Sequence, residues 1–195
     1  MSVTDMIIEK ASKIDAMALA ELVNMAGEGL PVYLWERMAE PRENVWDVGC
    51  RRASRESGSF SYTNAVCAKT DQQVAACLVG YPLAIKPEEI DNNTPAMFVP
   101  LQELENEATG SWYINVLATY PDFRCEGLGV ELLNQAEKKA MDNGNNGLSL
   151  IVSDANSGAR RLYERFGFAE QAKRAMVKED WVNPGENWIL MVKPF

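Results

Sequence analysis

The sequence of 195 residues contains no histidine. Histidine is the commonest general base and the commonest metal ligand in enzymes. Its absence therefore excludes Ser-His-Asp and Cys-His hydrolases and argues strongly against a zinc site. We expect the chemistry of this chain to proceed without a metal.

Long hydrophobic runs and targeting signals are also missing. No apolar stretch is long enough to span a bilayer, and residues 1–8 have neither a basic region nor a long apolar segment. The four cysteines form no C-x-x-C pair and are interpreted as reduced thiols. Together these features predict a cytoplasmic protein that has no membrane partner.

Positive charge is scarce. The chain has 19 Lys and Arg against 28 Asp and Glu, which gives a net charge of −9. This balance argues against a nucleic-acid partner. It suits a cationic acceptor such as an amine, although acidic charge also serves simply to keep a protein soluble. The length and the 47% hydrophobic content are those of one domain with a substantial core.

The sequence does contain a regular succession of strand-like and helix-like segments. Their order, β, helices, β-β, β-α-β-α-β-β, predicts a single α/β domain over residues 1–195. We expect a mixed central sheet of six to seven strands with helices on both faces. The predicted strands cover 3–10, 61–69, 74–85, 112–119, 148–152, 168–178 and 188–192. The first helix carries Ile14, Met17, Ala18, Leu22 and Met25 at helical spacing.

The most informative segment joins the fourth strand to the next helix. Residues 117–129 read Leu-Ala-Thr-Tyr-Pro-Asp-Phe-Arg-Cys-Glu-Gly-Leu-Gly. Such a turn leaves unpaired N–H groups at the start of a helix, and these donors bind anions, usually phosphate, with help from the helix dipole. Gly127 and Gly129 let the backbone approach a ligand closely, and Arg124 adds a forked cation that fits phosphate oxygens.

The spacing of this loop separates it from two common phosphate-binding motifs. The dinucleotide fingerprint needs a third glycine where Leu132 stands, and a Walker loop needs Gly-Lys-Ser/Thr. The spacing R-x-x-G-x-G resembles instead the pyrophosphate loop of the GNAT superfamily of N-acetyltransferases. A second segment, 156–168, has Asn, Ala, Leu-Tyr-Glu and Gly-Phe in order. It resembles the other signature of that family.

The resemblance implies a GNAT-like fold and a reaction. An acetyl group would pass from acetyl-CoA to a primary amine of a small molecule or peptide by direct attack, without a metal. Residues 111–170 would form the acetyl-CoA-binding core. Residues 86–110 would be an insertion or acceptor loop, although a solvated surface insertion with a short helix fits them equally well.

The resemblance also places the co-substrate on backbone groups. The fourth strand would pair with the pantetheine arm through Leu117, Ala118 and Thr119, and the Leu117 amide would polarise the acetyl carbonyl. The residues expected to hold the pyrophosphate are Arg124, Cys125, Glu126, Gly127, Leu128, Gly129 and Val130. We interpret Cys125 as a residue tolerated by packing, and the Leu128 side chain as an anchor in the core.

Two side chains receive roles from the resemblance. Tyr163 matches the tyrosine that protonates the leaving CoA thiolate, and Asn156 matches the asparagine that contacts pantetheine. Each also has a purely structural explanation. Tyr163 would be an aromatic on the core face of its helix, and Asn156 would be an N-cap.

The general base stays open. Tyr113 stands where some family members carry a glutamate on the fourth strand, so this sequence has no carboxylate there, and Tyr113 itself is a candidate. Glu105, Glu107 and Asp122 are close in sequence and could act through water, or solvent could take the proton.

The acceptor site is the least defined part. Residues 30–60, 86–110 and the closing strands are expected to shape it, and Tyr33, Trp35, Trp46 and Trp112 would either line an apolar pocket or pack in the core. Three alternatives remain. They are a non-catalytic acyl-CoA-binding or sensing domain, a transferase with another acyl donor or an oxygen acceptor, and a structural dimer module. The sequence leaves homodimer formation undecided.

Overall fold

A computed structural model describes residues 6–70 and 73–195. The described strands are β1 (Ile7–Lys10), β2 (Ala65–Lys69), β3 (Val74–Pro82), β4 (Trp112–Thr119), β5 (Gly147–Ser153), β6 (Ala169–Ala175) and β7 (Asn187–Pro194). The described α-helices are α1 (Ala16–Ala26), α2 (Leu30–Glu36), α3 (Val45–Ala53), α4 (Val99–Asn106), α5 (Leu128–Asp142) and α6 (Ser157–Phe166). Residues 3–5 of the first predicted strand and residues 71–72 of the predicted turn lie outside the described residues.

The strands form one mixed sheet in the order β1-β2-β3-β4-β5-β7-β6. The β1–β2, β2–β3, β5–β7 and β6–β7 pairs are antiparallel, whereas β4 and β5 are parallel. This confirms the predicted mixed α/β fold with its order of elements. The parallel pair needs a crossover, and α5 supplies it as the sequence pattern indicated.

The chain groups into two compact units. The first unit comprises residues 1–80 and 116–133, and the second comprises 81–115 and 134–195. Strand β4 and helix α5 each contribute residues to both units. The predicted single domain over 1–195, with its segments 86–110 and 111–170, stays a prediction.

The core of the first unit packs α1, α2 and α3 with residues of β2 and β3. Leu19, Leu22 and Val48 are buried there, and the Trp35 ring stacks on Phe60 at a centroid distance of 6.2 Å. Of the apolar residues at helical spacing in the first helix, Leu22 is buried, whereas Ile14 is 94% and Met17 is 46% exposed. Ile14 lies in a 3-10 turn over Lys13–Asp15 that precedes the helix, and the buried residues of α1 begin at Ala16.

The second unit packs α4 against β6 and β7. Leu104 and Ala108 are buried with Leu190 in one cluster. Arg174 on β6 donates to Glu103 and Glu107, which tethers the helix to the edge strand. The segment 86–110 therefore contains a short helix, as one of its two predictions had it, but one side of this helix is packed in the core and not solvated.

Helices α5 and α6 match their sequence patterns closely. Leu132, Leu133 and Ala136 of α5 are fully buried and stand at helical spacing in the sequence. Helix α6 ends at Gly167, whose φ of 102° is the left-handed conformation that suits glycine at a C-terminal cap. None of the helices in the described residues is long and apolar enough to cross a membrane.

Candidate active site

The predicted anion-binding loop begins directly after β4. A 3-10 turn over Pro121–Phe123 leads into residues 124–127, and α5 begins at Leu128. Cys125 and Gly127 both have positive φ, at 63° and 83°. Left-handed residues alternating with ordinary ones turn successive N–H groups toward the same side of the chain, which forms an anion-binding concavity.

The backbone donors of this loop can be counted. The N–H groups of residues 125–129 donate to no acceptor in the described parts of the chain. Arg124 donates its N–H to the Pro121 carbonyl at 3.2 Å, and Val130 donates to the Gly127 carbonyl at 3.0 Å. The predicted set of backbone donors therefore narrows from 124–130 to five consecutive residues, because Arg124 and Val130 already use their N–H groups in the fold.

The side chains of the loop divide between core and solvent. Leu128 is 4% exposed and anchors the start of α5, as predicted. Cys125 is exposed, so core packing does not explain its presence. A Cβ atom added to Gly127 would meet no heavy atom within 4 Å, which leaves open space beside the donors. Glu126 is half-buried, and its Oε2 has no partner in the described residues.

Arg124 is held by the first unit and not by a carboxylate. Its Nε donates to the Thr119 carbonyl at 3.3 Å, and its Nη2 lies 3.3 Å from the Met25 sulfur. Among the ion pairs of the described residues, none involves Arg124. Its charge is therefore available to an anion at the loop.

The ladder between β4 and β5 is short. It covers Trp112–Ile114 on β4 and stops at the Ile114–Leu150 pair, although β4 runs on to Thr119 and β5 to Ser153. Residues 117–119, predicted to pair with pantetheine, lie beyond the last pair. The early end of the ladder is consistent with the pairing to pantetheine that the family resemblance implies for these residues.

Tyr163 lies on the buried side of α6. It is 7% exposed, and its ring contacts Phe168 edge-on at a centroid distance of 5.8 Å. Burial raises the pKa of its phenol to about 12, and no hydrogen bond or charged group contributes to that shift. The hydroxyl is therefore protonated throughout the neutral range.

Tyr113 is the centre of an electrostatic cluster in the second unit. Its ring is buried and lies 5.7 Å from the ring of Tyr81. Burial is the main cause that raises the pKa of Tyr113 well above 10, and electrostatic interactions with Glu105, Tyr81 and Tyr163 add to the shift. The predicted candidates Glu105 and Tyr163 therefore both lie close enough to Tyr113 to affect its pKa.

Asn156 has one of its two predicted roles, that of a helix N-cap. It is the N-cap of α6, and its Oδ1 accepts a hydrogen bond from the Ala159 N–H at 3.2 Å. Its other predicted role, contact with pantetheine, stays a prediction.

The three carboxylates considered as bases differ in environment. Glu107 is exposed and paired with Arg174, and Asp122 is exposed. Glu105 is half-buried, and burial together with the charge of Glu88 raises its pKa to about 7. The sequence did not single out Glu88 or Tyr81 as parts of this cluster, because neither belongs to a motif and only the fold brings them to Glu105 and Tyr113.

The aromatic residues proposed for an acceptor pocket are mostly structural. Trp35 and Trp112 are buried, and Trp46 packs edge-on against Trp35 at 6.0 Å. The ring of Tyr33 is covered by the Arg37 guanidinium at 3.5 Å. No cluster of three or more cysteine, aspartate or glutamate side chains in the described residues could hold a metal ion.

A family model described as the acetyltransferase (GNAT) family matches residues 31–168. The chain belongs to this family. The predicted resemblance to this family is thereby confirmed. This GNAT chain is 29% identical over 171 residues to a mycothiol acetyltransferase of Corynebacterium jeikeium (strain K411). The match covers 82% of this chain but only 47% of that relative, so the chain spans about half its length.

Solved structures share the fold. A crystal structure described as an acetyltransferase is similar with a TM-score of 0.66 and 21% identity, over 96% of this chain and 98% of that one. A GNAT family acetyltransferase from Elizabethkingia anophelis with acetyl-CoA bound has a TM-score of 0.50 and 19% identity, over 67% of this chain and 75% of that one. At these identities the similarity establishes the fold.

Proposed function

We propose that this GNAT chain transfers the acetyl group of acetyl-CoA to the primary amine of a small molecule or peptide by direct attack. The observation that carries the proposal is the row of five N–H donors at residues 125–129, which lies beside Arg124 and at the start of α5. A pyrophosphate needs such a concentration of donors and positive charge. The Elizabethkingia relative was solved with acetyl-CoA bound, which supports the same co-substrate here.

The residues present fit this co-substrate. The open space beside Gly127 admits phosphate oxygens close to the backbone, which a side chain at that position would obstruct. The backbone of Leu117, Ala118 and Thr119 lies beyond the end of the β4–β5 ladder and would bind the amides of pantetheine. Acetyl-CoA itself supplies the activated thioester. The Leu117 N–H would stabilise the negative charge that develops on its carbonyl oxygen.

Tyr163 would manage the proton of the leaving group. Its phenol carries a proton at neutral pH and can donate it as the carbon–sulfur bond breaks. A thiolate in water has a pKa of about 8.5, well below that of this phenol, but the burial that raises the phenol pKa also raises that of a thiol held beside it. Burial therefore raises both pKa values, and the transfer depends on the position of the phenol beside the sulfur.

The acceptor class is proposed from two features. The name of the Corynebacterium relative points to a small-molecule acceptor. The net charge of −9 favours an approaching cation, which an amine is at neutral pH. As acceptors of the acetyl group, we expect small-molecule amines before peptide N-termini.

The first experiment measures thermal unfolding with and without acetyl-CoA. At about 100 times its dissociation constant, the ligand should add about 2.7 kcal/mol to the free energy of unfolding. Arg124→Ala should reduce the shift, whereas Gly158→Ala, at a helix position with no atom near its Cβ, should not. No shift for the wild type at millimolar acetyl-CoA would overturn the proposal.

The second experiment separates an enzyme from an acyl-CoA sensor. The wild type and Tyr163→Phe are assayed for CoA release with spermidine, glucosamine, tryptamine and a peptide with a free N-terminus. An enzyme should turn over one of these amines, and Tyr163→Phe should lose turnover while keeping its acetyl-CoA shift. Binding without turnover of any amine would favour the sensor. Tighter binding of propionyl-CoA or longer acyl-CoA would change the donor assignment.

A further inference from the structure

A small cavity beside α4 provides room for about one water molecule. Its volume is about 20 Å³, above the roughly 10–15 Å³ that a buried water requires. The residues that line it are Leu83, Ala84, Lys86, Glu88, Gln102, Glu105, Asn106 and Thr109. Most of these are polar, so a water here would have the two to four hydrogen-bond partners that it needs.

The fold holds Glu88 next to this cavity. Asn106 of α4 accepts a hydrogen bond from the Glu88 N–H at 2.8 Å and donates one to the Glu88 carbonyl at 2.9 Å. These two bonds clamp the segment before α4 onto the end of the helix. They keep the carboxylate of Glu88 close enough to Glu105 to raise its pKa.

Glu105 differs from the acidic residues on either side of it along the chain. Glu103 and Glu107 both pair with Arg174, and the Glu103 contact measures 2.7 Å. The carboxylate of Glu105 has neither an ion pair nor a hydrogen bond in the described residues, although it is half-buried. A half-buried carboxylate without a partner is costly, and such groups are found more often where they serve chemistry than where they serve stability.

Glu105 also lies close to the residue that replaces the family's glutamate. Tyr113 is buried on β4, and the charge of Glu105 is one of the causes of its raised pKa. Tyr163 is another of those causes. Helix α4 therefore supplies a carboxylate whose charge acts on the residue at position 113.

We infer that Glu105, acting through a water in this cavity, accepts the proton that the acceptor ammonium must lose before it attacks. This inference rests on the proposed function and names the base for the same reaction. The Glu105 carboxylate takes one proton and leaves a neutral amine. The amine nitrogen bonds to the thioester carbon, the carbon–sulfur bond breaks, and the thiolate receives a proton from Tyr163. The second proton of the nitrogen restores the Tyr163 phenol, and Glu105 releases its own proton to solvent.

The charges around Glu105 are consistent with this role. Burial and Glu88 raise its pKa to about 7, near the optimum for a base that works in neutral solution. Lys86 lines the same cavity, and Tyr113 and Tyr163 are neutral phenols at this pH. Arg174 is occupied by Glu103 and Glu107.

The test compares the pH dependence of kcat/KM for the wild type, Glu105→Gln, Glu105→Asp and Glu103→Gln. The assay uses the amine that the wild type turns over fastest in the panel above. In the wild type kcat/KM should rise with pH, with a midpoint near 7. Glu105→Gln should lose about 100-fold at pH 7.5 and retain only the rise set by the amine's own pKa. Glu105→Asp should recover part of the rate, and Glu103→Gln should keep the wild-type profile.

The acetyl-CoA thermal shift of each variant serves as a folding and binding control. An unchanged shift with an unchanged pH profile in Glu105→Gln would overturn the inference while leaving the proposed function intact. If Glu103→Gln also lost the pH midpoint of kcat/KM near 7, the effect would belong to the acidic charge of α4 in general. That result would also overturn the inference about Glu105. Absence of turnover in the wild type would overturn the proposed function, and the inference with it.

Discussion

At the residue scale, the loop depends on backbone conformations that most side chains disfavour. Gly127 has a φ of 83°, and a Cβ there would meet no neighbouring atom. The cost of Gly127→Ala is therefore conformational, and we expect the free energy of unfolding to fall by about 1 kcal/mol. Gly158 also has open space but lies in α6 without a positive φ, so Gly158→Ala should be neutral or stabilising by about 0.5 kcal/mol. Urea unfolding of both variants measures the difference, and equal effects would contradict the argument.

The raised pKa of Glu105 can be tested without a substrate, through the pH dependence of the free energy of unfolding. Its folded pKa of about 7 lies above the usual 4.5, so the folded state holds this proton more tightly than the unfolded state. The stability that the protonated Glu105 contributes to the folded state is therefore lost as pH rises from about 4.5 to 7. The loss should be about 2 kcal/mol after allowing for partial solvent access.

Urea unfolding of wild type and Glu105→Gln between pH 4.5 and 8 measures this loss. The glutamine variant should become progressively more stable than the wild type as pH rises, and the difference should level off above pH 7. Glu103→Gln should show no such trend, because its carboxylate is paired with Arg174. A difference that is constant with pH would mean that the Glu105 pKa is not raised.

At the scale of secondary-structure elements, one residue of α6 tests whether capping and ligand binding coincide. The Asn156 side chain caps the helix through the Ala159 N–H. Asn156→Ala should lower the free energy of unfolding by about 1 kcal/mol, whereas Asn156→Asp keeps the acceptor oxygen and should preserve stability. If Asn156 also contacts pantetheine, Asn156→Asp should still weaken the acetyl-CoA thermal shift. An unchanged shift would leave capping as its role.

Strand β4 shows how one element serves two purposes. Its first residues pair with β5 in the sheet, whereas its last residues run past the end of that ladder. The same strand can therefore be a structural member of the sheet and an edge with backbone groups available to a ligand.

At the scale of the whole molecule, three of the four cysteines differ in burial in a way that labelling can test. Cys67 and Cys77 are buried, and burial raises the pKa of Cys67 to about 12 and that of Cys77 well above 9. Cys125 is exposed on the predicted pyrophosphate loop. Because thiolates are the reactive species, Cys125 should react first with a disulfide reagent, whereas Cys67 and Cys77 should react only on unfolding.

Acetyl-CoA should slow the fast labelling phase, because the bound co-substrate would cover the loop. Cys125→Ser is the control, since it should remove the fast phase altogether. Labelling of Cys67 or Cys77 in the folded protein would contradict the burial, and a fast phase that acetyl-CoA leaves unchanged would argue against binding at the loop.

The sequence alone determined the features that depend on local chemistry. Alternation and helical spacing predicted the strand and helix order, and the glycine spacing predicted the loop. These are properties of short segments, in which neighbouring residues set backbone conformation and exposure. Helical spacing did not decide which apolar residues of α1 are buried, since Ile14 and Met17 are exposed and the buried residues begin at Ala16.

Only the tertiary structure distinguished among residues that are equivalent in sequence. Glu103, Glu105 and Glu107 alternate along the chain, yet two pair with Arg174 from a distant strand and one is left half-buried near Tyr113 and Glu88. The pKa of a carboxyl group depends on burial and on nearby charges, and both are created by contacts between segments far apart in sequence. The same reason applies to the loop donors, because an N–H group is available to a ligand only if the folded chain has not already paired it.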